Sequence, residues 1–209
     1  FGGGTVHLGG EYQGQGDSYT AKRTYVGEGT SIKANANISG NGGEVILWAD
    51  EKTWFYGEIE AKGGSQSGDG GFVEVSGKEF LTYEGQVDAT AANGEQGTLL
   101  LDPTDIIVDT AGNAETALLT AVDQFADADI GGDGDTIINV NSINTAGANV
   151  TLQATNDITF ATSVTMTQAG VGLTAQANND INVSNSITTN GGAINLSADD
   201  DASGTGTLT

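Results

Sequence analysis

Residues 153–175, QATNDITFATSVTMTQAGVGLTA, can be laid without a gap on residues 176–198, QANNDINVSNSITTNGGAINLSA. Nine of the 23 positions are identical by direct count, among them Asn156 with Asn179, Asp157 with Asp180, Ile158 with Ile181 and Leu173 with Leu196. Several others are Val/Ile or Thr/Ser exchanges. Self-similarity at such a fixed interval marks a chain of equivalent turns, because one repeat alone has too little apolar surface to hold a fold and must stack on the next.

The same device continues toward the N-terminus with longer turns. Gly42-Gly43 is answered by Gly70-Gly71 28 residues later and by Gly97 27 residues after Gly70, while Gly57, Ile59 and Ala61 recur as Gly85, Val87 and Ala89. The glycines introduce short alternating segments: Val6 and Leu8, Val45 and Leu47, Val73 and Val75, Leu99 and Leu101, Val150 and Leu152, Ile194 and Leu196. Alternation with period two buries one side of a strand and leaves the other to solvent. The reading is an all-β chain, a right-handed parallel β-helix (β-solenoid) with one short helix interrupting its coils. At ~4.8 Å per stacked turn, about nine coils would make a rod on the order of 40 Å long. The Asn-Asp pairs before Ile158 and Ile181 are expected to stack at one corner, where asparagine accepts a left-handed backbone and amides form ladders. A β-sandwich is the competing fold, but its strands have no reason to copy one another at a fixed interval.

Three regions follow: residues 1–108 with aromatic-containing coils of about 27–28 residues, residues 109–136 as a helix-containing acidic insertion, and residues 137–209 with Asn/Thr-rich coils of about 21–23 residues. Eleven of the 13 aromatic residues precede position 84, including Trp48 and the run Trp54-Phe55-Tyr56. That run is either a carbohydrate-stacking platform or, since successive strand residues face opposite ways, a core filler with flank cover. Leu118, Leu119, Val122 and Phe125 fall at helical spacing behind Asn113 as N-cap, which predicts an amphipathic helix within about residues 113–128 that plugs or covers the seam between coil types, with a partner-binding helix as the alternative. Pro103 just upstream ends one ladder.

Charge restricts the partners. The formal charge is -22, and all six basic residues (Lys22, Arg23, Lys33, Lys52, Lys62, Lys78) precede position 79. Nucleic acid and anionic membrane both need a basic surface, so neither is a partner. There is no cysteine and a single histidine, His7, which excludes a disulfide framework, thiol chemistry and a histidine-rich zinc site. No cofactor is required. One ion remains to consider: Asp127, Asp129, Asp133 and Asp135 place four carboxylates in nine residues among glycines, the donor chemistry calcium takes. The loop matches neither an EF-hand nor a full repeat-in-toxin motif, and a solvated acidic turn that holds no ion is the alternative.

The runs GGGTVHLGGEYQGQG, RTYVG, NGGEVILWADEKTWFYGEIEAKGG, SGDGGFVEVSGKEFLTYEGQVDA and GTLLLDPTDIIV together resemble filamentous-haemagglutinin-like exoproteins of the two-partner secretion pathway over nearly the whole chain. The resemblance implies export through a dedicated outer-membrane transporter, a secreted or cell-surface location in a Gram-negative-type bacterium, and contact with a host or neighbouring-cell surface or matrix. The Asn-Pro motifs of the secretion domain are missing, since the only proline, Pro103, follows Asp102, so the chain resembles the stalk beyond that domain. It opens and stops within glycine patterns and reads as an internal stretch of a longer protein. The expected function is a structural stalk of a surface adhesin or fibre, not an enzyme. A self-assembling filament joined end to end through open strand edges is a second reading. A polysaccharide-degrading β-helix enzyme is a third, opposed by dispersed acids with no cation after Lys78 to stabilise developing negative charge.

Overall fold

In the computed structural model, which describes residues 1–111 and 136–209, the alternating segments become one seven-stranded parallel sheet. Its strands are Thr5–Leu8, Glu44–Ala49, Phe72–Gly77, Thr98–Leu101, Asn149–Ala154, Leu173–Ala177 and Ile194–Ser197. One column runs through the register: Val6 lies opposite Val45, then Val73, Leu99, Val150, Leu173 and Ile194. From Val45 to Leu173 every member is buried. Each inward Val or Leu thus covers the one before it, which is how strands too short to be stable alone share a single core.

Two further faces close the turns of the N-terminal half. Arg23–Val26, Lys52–Phe55 and Phe80–Tyr83 form one three-stranded sheet, and Ser31–Lys33, Glu58–Glu60 and Gln86–Asp88 form another. Inside, Val26, Phe55 and Tyr83 stack in register, with the Phe55 and Tyr83 rings 5.5 Å apart and 28° from parallel. In the C-terminal half the second face is Ile106–Asp109, Ile158–Phe160 and Ile181–Val183, and Val164–Ala169 pairs with Ile187–Asn190. The described residues are therefore nearly all β, in parallel strands stacked turn on turn, an arrangement compatible with a β-solenoid.

The recurrent glycine pair has a steric cause. A Cβ on Gly70 would lie 1.8 Å from the Ala89 carbonyl oxygen, and one on Gly71 would lie 2.1 Å from the Gly43 carbonyl oxygen. Backbone from successive turns meets at this corner, where Gly71 N donates to Ala61 O and Thr98 N to Gly71 O. The Asn-Asp corner is also a ladder. Asp105 accepts from the Asn156 amide (2.7 Å), Asp157 from the Asn179 amide (2.8 Å) and the Asp180 backbone (3.0 Å), and Asp180 from the Thr207 backbone (2.8 Å). The asparagine side-chain amides bond to aspartate there, while asparagine meets asparagine only through the backbone, Asn179 N donating to Asn156 O.

Ile158 lies opposite Ile181 and Val73 opposite Leu99, as the repeats require. Leu173, however, lies opposite Ile194, and Leu196 faces Ala175. The 23-residue alignment slips by two because the pairing jumps from Thr165↔Thr188 to Ala169↔Asn190, so that two residues of the earlier turn are left over. A slip of two keeps the inward face inward, so the core tolerates it. Among the described residues the sheet has seven strands where the spacing predicted about nine coils; residues 9–43, 102–111 and 136–148 add none to it.

The last of these stretches instead supplies an extra strand. Ile137–Asn139 pairs with Ile106–Asp109 on the side away from Ile158–Phe160, and Leu81 N donates to Thr136 Oγ1 at 3.1 Å just ahead of it. A five-residue helix, Val140–Asn144, follows, started by the Asn139 side chain accepting from Asn141 N and packed inward through Val140 and Ile143. The helix expected within residues 113–128 lies outside the described residues.

Candidate functional site

The long sheet should be apolar inside and wet outside, yet Ile46, Trp48, Glu74 and Leu100 point outward and are all buried. A strap covers them. Residues 9–20 leave the first strand, cross the outer face and return, closed at the base by Ala21 N donating to Gly9 O at 2.7 Å. Its tip is the 3-10 turn Tyr12–Gly14. The Tyr12 ring lies 5.8 Å from Phe72. Gly14 has φ +63, and a Cβ there would fall 2.5 Å from the Trp48 indole, so this backbone can lie on Trp48 only as glycine.

Gln13 is the pivot. Its backbone N–H points between the two oxygens of Glu74, 3.2 and 3.1 Å away, while its side-chain amide donates to Asp102 Oδ2 and to Gln153 Oε1, both at 3.0 Å. Its φ of 52 is left-handed, a strained conformation for a residue with a side chain. From Gln153 the chain of amides continues along the stack: Gln153 Nε2 donates to Gln176 Oε1 at 3.0 Å, and Gln176 Nε2 reaches Asp200 Oδ2 at 3.2 Å. One line of hydrogen bonds thus ties the strap to several successive turns.

Burial raises the Glu74 carboxyl to about 7, opposed by the Gln13 N–H and reinforced by Asp102 and Glu44. Burial likewise raises Asp102, opposed by the Gln13 amide. Asp50 at the rim moves the other way, lowered by the Thr20 hydroxyl and then by Trp48 Nε1, which donates to it at 3.1 Å. Beside the strap a cleft of about 400 Å³ opens between Trp48, Asp50, Lys78, Asp102, Gln153 and Gln176. Its amides bond to one another and to carboxylates, so they serve the stack and the strap before any ligand.

The other expectations fare differently. Asp127, Asp129, Asp133 and Asp135, and with them the calcium question, lie outside the described residues. Trp54 and Phe55 are both buried and Tyr56 is partly so, its ring 6.0 Å from that of Tyr25. No open aromatic platform stands at this run. Glu58 is exposed, whereas Glu60 is not simply solvated: hydrogen bonds from Lys33 and Asn35, with Lys62 nearby, bring it down to about 2. Sequence reading missed Glu74 and Gln13 because the period-two pattern assigns Glu74 to a wet face. The available signal was Glu74 lying between Val73 and Val75, opposite the equally outward Ile46 and Leu100.

No protein-family model matches this sequence, and no characterised protein matches it either. What defines the class is therefore the architecture itself: a stack of parallel strands with one face strapped across several turns.

Proposed function

We propose that this chain is a right-handed parallel β-helix serving as a stalk segment of a large secreted bacterial surface fibre, one that projects a distal region for attachment or aggregation. The hand follows from the physical preference of parallel crossovers within one sheet, right-handed in about 98% of cases. The observation that carries the function is the continuous register of the long sheet. It links the turns from Thr5 to Ser197 by backbone hydrogen bonds along one axis, so tension applied along the rod loads many bonds together. The strap and the amide line add bonds parallel to that axis. The acidic surface suits a fibre that stays solvated, and the absence of cysteine suits export of an unfolded chain through an outer-membrane transporter.

Immunogold labelling of producing cells with antibody against this chain tests the reading. Label on fibres outside the cell, lost from the surface when the partner transporter gene is deleted, is the expected result. Label confined to the cytoplasm, or surface label indifferent to any transporter, contradicts it.

A further inference from the structure

We propose that the strap of residues 9–20 is a pH-sensitive clasp, closed when Glu74 carries a proton and loosened when that carboxyl is ionised. The geometry is that of a buried acid without a counter-charge. Glu74 has no exposed surface; it accepts from the Gln13 backbone N–H, and the Ser76 hydroxyl beside it also favours the ionised form. The titratable or charged groups facing it among the described residues are Tyr12 on the strap, Glu44 on the preceding strand and Asp102 after the following one, none of them a cation. His7 on the first strand is engaged with Glu44 at 2.8 Å. Ionising Glu74 therefore places a charge with no surface open to water beside the half-exposed Glu44 and the cleft-lining Asp102.

The contact that closes the clasp is also its strained point. Gln13 holds a left-handed backbone to bring its N–H onto Glu74 and its amide onto Asp102 and Gln153. Ionisation strengthens that one hydrogen bond, but opening the strap returns the carboxylate to water and releases the Gln13 backbone strain, so desolvation and strain together favour the open form. The sign follows from the folded value of about 7 against an ordinary 4.5. The protonated acid stabilises the closed strap fully below the ordinary value, and that contribution fades as pH rises through the folded one. Loosening would uncover Ile46, Trp48 and Leu100, an apolar strip on an otherwise polar face.

Hydrogen–deuterium exchange of peptides spanning residues 10–20, corrected for the intrinsic pH dependence of exchange, tests this on the intact chain. Protection is expected to fall on the order of tenfold between roughly pH 5.5 and 8.5, while peptides from Asn149–Ala154 stay constant. Glu74→Gln, which mimics the neutral acid, should hold the strap closed throughout. Gln13→Gly, which keeps the backbone donor, should retain the pH dependence. Flat protection in the wild-type chain, or unchanged pH dependence in Glu74→Gln, overturns the proposal. A carbon-13 titration of the Glu74 carboxyl serves if the variant does not fold: a midpoint near 7 supports the clasp, and one in the ordinary carboxylate range refutes it.

Discussion

Tyr83 shows how little the core permits polar atoms. Its ring is wholly buried against Phe55, its hydroxyl meets no hydrogen-bond partner among the described residues, and burial pushes its ionisation far upward. A buried donor left unmade is a net cost, and removing it leaves the ring contact intact. Tyr83→Phe should therefore leave stability unchanged or raise it by up to ~1 kcal/mol. Denaturant unfolding checks this, and a loss above that size would show that the hydroxyl has a partner. The same balance of burial against partners runs opposite ways at Glu74 and Glu60, the first buried without a cation, the second held by Lys33 and Asn35.

At the scale of elements, the Asn-Asp corner and the slipped register are the parts most open to test. Asp157 accepts from both Asn179 and Asp180 of the next turn, so Asp157→Ala should destabilise by ~1–3 kcal/mol, whereas Asp157→Asn, which keeps an acceptor, should lose less. Thermal melts of the two variants compare them. The chain has no cysteine, so paired substitutions report register cleanly. Thr174→Cys with Asn195→Cys should form a disulfide on mild oxidation, and Thr174→Cys with Ser197→Cys should not, because Thr174 faces Asn195. The reverse result would restore the unslipped 23-residue register.

Much of this was legible in the sequence, for reasons that differ by element. The inward column from Val6 to Leu173 was readable because alternation and equivalent spacing both follow from stacking. The two-residue slip was not, since Leu196 matches Leu173 as a residue type as well as Ile194 does and nothing local marks the shift between Thr165 and Ala169. The strap was invisible for another reason. Gly10, Gln13 and Gly14 look like loop residues, and only the fold brings Glu74, Asp102 and Gln153, far away in sequence, beneath them.

For the whole molecule, charge and stacking oppose each other. A formal charge of -22, with no cation after Lys78, repels itself along the stack. Added monovalent salt should raise the unfolding temperature by screening that repulsion, most steeply below about 0.1 M where the screening length falls to ~10 Å. A midpoint that falls with salt would mean that the Lys33, Glu60, Lys62 and Asp88 ion pairs outweigh the excess negative charge. The proposed stalk rests in the end on one continuous winding, and a crystal structure of this chain tests that most directly. The expected result is a right-handed coil in which Leu99 lies between Val73 and Val150, Ile158 lies beside Ile181, and residues 9–20 cross the outer face onto Glu74. Two facing antiparallel sheets, or a coil of the opposite hand, would contradict it.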